Sequence, residues 1–117
     1  MGCLFCKIIK KSIPSEIVLE DGKFICFKDI NPKAPIHLLI VPKKHLSSLE
    51  RLRKEHKWLA GEMMLFAKKA AAKQGVSKKG YKLVLNVGKG AGQAIGHLHL
   101  HLLSGWEKGS KIPALKI

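Results

Sequence analysis

Three histidines alternate with leucines in His97-Leu98-His99-Leu100-His101-Leu102-Leu103. Imidazole can act as nucleophile, acid, base or metal ligand near neutral pH. On a helix, His97 and His101 would share a face and His99 would oppose them. On a strand all three project from one face, successive members about 6.6–6.8 Å apart, while Leu98, Leu100 and Leu102 project from the other. Only the strand sorts polar from apolar residues, so one face packs into a core and the other presents three imidazoles. Packed imidazoles lose hydration and repel one another when charged, which a purely structural role does not explain. Metal binding and nucleophilic or acid–base chemistry both stay open, and they are not exclusive. His37, opening another apolar strand, could add a fourth ring.

Two further stretches carry chemistry. Cys3 and Cys6 form C-x-x-C, which is half a zinc site by spacing. A thioredoxin-like redox motif would need a preceding strand, and no room exists for one before Cys3. Cys26 stands alone and reads as a small buried apolar side chain. Before the histidines lies Asn86-Val87-Gly88-Lys89-Gly90-Ala91-Gly92-Gln93. Its small residues and free N–H groups suit either an anion nest or a plain flexible connection. No Gly-Lys-Ser/Thr follows, so it is not a P-loop. Gln93 stands where a dinucleotide fingerprint needs its third glycine.

The elements that must position these residues follow from period and punctuation. Residues 3–10 read as a short helix or turn, broken at Ile13-Pro14. Ile17–Glu20 and Phe24–Asp29 read as a hairpin around Asp21-Gly22. A stiff loop with Asn31-Pro32 and Ala34-Pro35 leads to a strand over His37–Val41. Ser47 and Glu50 predict a capping box opening a long helix, whose buried stripe would be Leu52, Leu59, Met63, Phe66, Ala67 and Ala70, with Gly75 just past its end. Tyr81–Val87 and His97–Leu103 are the remaining strands, and residues 104–117 form a tail without clear period. The expected class is α+β, one domain over 1–117.

Composition sets the limits. The chain has 117 residues, and 22 Lys plus Arg against 8 Asp plus Glu leave a net charge of +14. A hydrophobic content of 46% is too high for a disordered basic tail. Three cysteines cannot make a disulfide scaffold. No apolar run approaches the ~18 residues of a membrane span, so no membrane partner is expected. At the N-terminus the charges follow the apolar stretch, the reverse of a secretory signal, so the expected location is cytoplasmic. Arg51 and Arg53 are the only arginines beside scattered lysines. Base-edge readers favour arginine. The charge therefore reads as a solvated surface that attracts anions, with a dedicated nucleic-acid site as the lesser alternative.

His97-Leu98-His99-Leu100-His101-Leu102-Leu103 resembles the signature of the histidine triad (HIT) family of nucleotide hydrolases and transferases, and most closely its purine nucleoside phosphoramidase branch. The resemblance extends from about Cys3 to Gly105. It includes Phe5, Lys7-Ile8-Ile9, Ile13-Pro14, Glu20-Asp21, Phe27, Asp29-Ile30, Ala34-Pro35, His37, Val41-Pro42-Lys43-Lys44-His45 and Gly92-Gln93. It implies an antiparallel sheet of about five strands with one long helix and a short N-terminal helix, the sheet continuing across a homodimer. It implies hydrolysis of AMP-type purine nucleotides through a nucleotidyl-histidine intermediate on His99. The carbonyl of His97 would orient His99, His101 would contact the phosphate, and His37 would orient the cluster. Asp29 would take the ribose hydroxyls. Leu4, Phe5, Ile8, Phe27, Ile30 and Leu39 would surround the base, and Asn86, Gly92, Gln93 and Ala94 would lie on the phosphate side.

The same resemblance completes the cysteine pair with His45 and His97 as ligands of a structural zinc, and implies no catalytic cofactor. Where the family commonly has a serine after Gln93, this chain has Ala94. The missing hydroxyl is worth roughly 10–100-fold in rate if water does not replace it. A dinucleoside polyphosphate hydrolase of the same family, and a nucleotide- or nucleic-acid-binding module with little turnover, are the alternatives.

Overall fold

In the computed structural model, which describes residues 3–112 and 117, the triad strand lies inside one antiparallel sheet. Five strands, β1 (Ile17–Glu20), β2 (Phe24–Lys28), β3 (Ile36–Pro42), β4 (Lys82–Val84) and β5 (Leu100–Ser104), run in the order β1-β2-β3-β5-β4. Two helices accompany them, α1 (Leu4–Ile9) and α2 (Lys57–Lys73). Among the described residues no helix is long and apolar enough to cross a membrane.

Period-two alternation divides each central strand between two apolar layers. Phe24 and Cys26 of β2, Leu38 and Ile40 of β3, and Leu98, Leu100 and Leu102 pack with Leu59, Met63, Phe66, Ala67, Ala70 and Ala71 of α2. Ile25 and Phe27 of β2 and Leu39 and Val41 of β3 join Phe5 and Ile8 of α1 in the other layer. α1 is short, so it roofs only part of that face. The remainder is the open ground on which the histidines stand.

Three elements differ from the sequence expectation by more than one residue at an end. The long helix does not start at a Ser47–Glu50 box. The Ser48 hydroxyl instead accepts from the Glu50 N–H at 3.2 Å, capping a single 3-10 turn at Leu49–Arg51. The chain is extended at Leu52 and Arg53, turns again over Lys54–His56, and becomes α-helical at Lys57. Leu52 has only Glu55 and His56 at i+3 and i+4, so a helix through it would carry charge toward the core. Leu52 packs against the core from an extended backbone instead.

The triad strand is also shorter than His97–Leu103. Its ladder runs from Leu100, opposite Ile40, to Ser104, opposite Ile36. β3 ends at Pro42, which has no N–H to extend the ladder. The Leu98 N–H goes to the Leu46 carbonyl at 2.7 Å. His97 and His99 are thus on an irregular lead-in, still alternating with Leu98, and only His101 is inside the strand. Finally, the strand expected at Tyr81–Val87 is confined to Lys82–Val84. Gly75 does follow α2, at φ +74°, as the C-terminal signal requires.

Candidate active site

The lead-in places His99 and His101 at the floor of a cavity of about 450 Å³, with His37 and Asp29 on its wall. Phe5, Ile8, Phe27 and Leu39 line its apolar end, and Gly92 and Ala94 line the glycine-loop end. Leu4 and Ile30 stand at its rim, 41% and 86% exposed, where an apolar ring of a ligand would cover them. A second cavity of about 310 Å³, beside Tyr81 and Trp106, contains none of the histidines.

Hydrogen bonds assign the tautomers along the histidine row. The His99 Nδ1–H donates to the His97 carbonyl at 2.7 Å, because a carbonyl can only accept. Nε2 of His99 is therefore the free lone pair. The Lys33 N–H donates to His37 Nδ1 at 3.0 Å, so a neutral His37 carries its proton on Nε2. That Nε2–H faces His101 Nδ1 at 2.9 Å, with the Asp29 carboxylate at 3.4 Å. His101 then carries its own proton on Nε2. The result is one imidazole with a bare nitrogen and a neighbour, 5.0 Å away between ring centres, with a proton to give. Asp29 Oδ1 is held by the Asn31 N–H at 2.8 Å.

Burial keeps these rings neutral. Burial pushes His101 down to about 4, helped by the neighbouring His99 and His37, against the pull of Asp29. His99 is also lowered by burial, in spite of its bond to the His97 carbonyl. His37 shifts the same way for the same cause. Neutral imidazole is the nucleophilic form, so the site is poised without a helper base.

The first histidine of the row does something else. The Nε2–H of His97 donates to the Pro42 carbonyl at 2.8 Å, which leaves Nδ1 unprotonated. That nitrogen lies 3.4 Å from Cys3 Sγ, 3.6 Å from Cys6 Sγ and 3.1 Å from His45 Nδ1. Cys6 Sγ and His45 Nδ1 are 3.3 Å apart. Zinc bonds of 2.3 Å to sulfur and 2.0–2.1 Å to nitrogen, set tetrahedrally, place neighbouring donors about 3.4–3.8 Å apart. The four atoms have the chemistry and nearly the spacing of a closed structural zinc site. Cys26 takes no part: it is fully buried under α2, and burial pushes its thiol up to about 12.

Two residues expected on the phosphate side lie elsewhere. Gln93 is buried and does not line the cavity. Its Oε1 accepts from the Gly88 N–H at 2.8 Å, and its Nε2 donates to the carbonyls of Ser47 at 2.6 Å and Ile95 at 2.9 Å. It ties the glycine loop to the Ser47 segment and to itself. Its side chain spans three main-chain groups, a role that residue type alone does not signal. Asn86 also lies off the cavity wall, and its Nδ2 is buried without a partner among the described residues. Conversely Ile13, Pro14, Ser15, Asn31, Lys33 and Ile95 line the cavity without having been expected to. The Ile13-Pro14 break was the available signal, since it turns the chain back along the apolar end. Gln93→Leu should cost about 2 kcal/mol, because three part-buried hydrogen bonds to the main chain are lost together. The reading is the urea midpoint, and an unchanged midpoint would show that the loop is held by other means.

Comparison with known proteins finds relatives in sequence and in fold. Residues 2–112 match the family model described as scavenger mRNA decapping enzyme C-term binding. The protein HitA of Neisseria gonorrhoeae is 50% identical over 102 residues, covering 87% of this chain and 94% of that one. The purine nucleoside phosphoramidase of Escherichia coli strain K12 is 39% identical over 102 residues, covering 87% and 86%. The crystal structure of a HIT family hydrolase from Legionella pneumophila Philadelphia 1 superposes with a TM-score of 0.87 at 45% identity, covering 91% of this chain and 95% of that one.

Proposed function

The chain belongs to the histidine triad (HIT) family of hydrolases, and from that membership we propose that it cleaves the α-phosphate bond of purine nucleoside phosphoramidates or related AMP derivatives through a nucleotidyl-histidine intermediate. The observation that carries this reading is the bond from His99 Nδ1–H to the His97 carbonyl, which leaves Nε2 free as a nucleophile beside a proton donor.

In this mechanism the base lies between Phe5, Ile8, Phe27 and Leu39, with Leu4 and Ile30 closing the rim. The Asp29 carboxylate accepts from the ribose hydroxyls. The phosphate meets the main chain of Gly92 and Ala94 and the Nε2–H of His101. His99 Nε2 attacks the α-phosphorus, and the bond from phosphorus to the leaving nitrogen breaks. The leaving nitrogen takes the His101 Nε2 proton as that bond breaks, while His37 Nε2–H keeps donating to His101 Nδ1 and stabilises the electron-rich ring that this leaves. Positive charge arising on His99 is stabilised by the His97 carbonyl at Nδ1–H. Water then gives one proton back to His101 Nε2 as its oxygen attacks phosphorus, the phosphorus–Nε2 bond breaks, His99 returns to its neutral form, and AMP leaves.

Cys3, Cys6, His45 and His97 would hold a structural zinc that supplies no step of this chemistry. A homodimer is part of the same reading. Trp58, Met64 and Leu65 are exposed on α2, and β4 is a sheet edge, both suited to a second copy. The setting of the reaction would be cytoplasmic.

A second reading has support from Ala94 and Lys33. The cavity wall has a methyl group where a hydroxyl could assist an amine, and a lysine beside His37. Both favour an anionic leaving group, as in a dinucleoside polyphosphate. Brief acid quench with adenosine phosphoramidate, followed by intact-mass analysis and AMP release, tests the main reading. A transient adduct of one AMP supports it. Turnover of dinucleoside polyphosphates alone would transfer the assignment to the second.

A further inference from the structure

Two separate connections run from the cysteine–histidine cluster to the reacting imidazole. The first is a single residue. His97 offers its Nδ1 to the cluster, donates Nε2–H to the Pro42 carbonyl, and accepts from His99 Nδ1–H through its own carbonyl. Wherever its ring is pulled, the carbonyl that sets the His99 tautomer follows.

The second is α1. This helix has six residues, well below the ~12–15 needed to stand alone. Among the described residues it makes no main-chain hydrogen bond to the sheet. Cys3 is its N-cap, with Sγ accepting from the Cys6 N–H at 3.4 Å, so both cluster sulfurs belong to this helix. Between them stands Phe5, edge-on to His99 at 5.0 Å and to His97 at 6.0 Å between ring centres. Phe5 also touches Phe27 edge-on at 5.5 Å in the apolar end of the cavity. Without the cluster, α1 would keep the burial of Phe5 and Ile8, the partial packing of Ile9 and, just past its end, the exposed Lys11–Glu20 pair.

We propose that Cys3, Cys6 and His45 are positioning residues for His99: drawn together on a zinc ion, they hold the His97 carbonyl on one side of that ring and Phe5 on the other. The cluster thereby governs turnover as well as stability. For its kinetic arm this rests on the nucleotidyl-transfer reading; its spectroscopic arm needs no substrate. Partners that orient a reacting group from one shell out are commonly worth about 10–100-fold in activity. The orientation of His99 acts on kcat. The α1 wall, through Leu4, Phe5 and Ile8, acts on KM.

The test compares full-length protein reconstituted with zinc and the same protein dialysed against a chelator. Both are kept well below the unfolding midpoint and checked for equal helix content by circular dichroism. Stripping is expected to lower kcat for adenosine phosphoramidate about 10–100-fold and to raise KM. Imidazole NMR of isotope-labelled protein should show His99 as one Nδ1–H tautomer when loaded and as an exchanging mixture when stripped. His45→Ala should resemble the stripped protein, and His45→Cys, which keeps four ligands, should resemble the loaded one. A purely structural zinc predicts a lower melting temperature but identical kcat, KM and His99 spectrum in the two folded forms; that result overturns the proposal. A changed His99 spectrum without turnover in either form would support the coupling and reject the substrate reading.

Discussion

Replacing His99 by asparagine is expected to reduce AMP release by about 10⁴-fold or more, the scale on which a lone nucleophile contributes. Asparagine is the informative substitution because its side-chain amide can still donate to the His97 carbonyl. That keeps the one buried hydrogen bond His99 makes and the fold around it. Phe5, Phe27, Leu39 and Asp29 remain, so nucleotide affinity should change by less than about tenfold. The measurement pairs acid-quench mass analysis with calorimetric titration of AMP. Loss of both adduct and turnover with binding retained is the expected outcome. Turnover within tenfold of the unaltered protein would remove His99 from the nucleophile's role and favour direct attack by water.

The second large effect is on stability in acid. His101 falls to about 4 from the ordinary 6.5, chiefly through burial. Its folded value is depressed, so below 6.5 the unfolded chain binds a proton that the folded chain refuses. Stability therefore rises with pH in this window and is lost as pH falls from 6.5 toward 4. For His101 alone the full loss is about 3 kcal/mol, at 1.36 kcal/mol per unit. His37, His97 and His99 are displaced in the same direction, again by burial first. Domains of this size are held by about 5–15 kcal/mol, so several such groups suffice to unfold one. Urea midpoints should fall steadily between pH 7 and pH 5. A flat profile there would mean the rings are hydrated and titrate normally. Since His99 must be neutral to attack, the acid limb of the rate should also lie below the ordinary imidazole value.

Much of the site was legible in the residues because it rests on local geometry. The leucines of the triad had to face one way and the histidines the other, whatever the rest of the chain did. The burial of Leu98, Leu100 and Leu102 under α2 follows that rule. The apolar residues Phe5, Ile8, Phe27 and Leu39 and the carboxylate of Asp29 lie together on the cavity as the family resemblance implied. Gln93 and Asn86 did not follow, because facing a ligand or facing the loop's own main chain depends on loop path, not residue type. The helix start failed for a related reason. Ser47 and Glu50 have the spacing of a capping box, but the start of the helix depended on where Leu52 could be buried.

The sequence by itself determined the alternation of the triad, the apolar face it turns inward and the chemistry on offer. Each is set by sterics and hydropathy within a few residues. Tertiary structure alone decided which histidine does what. His97, His99 and His101 are equivalent by pattern, yet Pro42 ends the β3 ladder and claims one ring, the His97 carbonyl claims the second, and His37 claims the third. Cys3, Cys6, His45 and His97 are separated by up to 94 positions and share one point only because β3, α1 and the β5 lead-in converge there. Local forces assign faces; only the packing of distant segments assigns partners, and for an imidazole the partner determines which nitrogen is free to react.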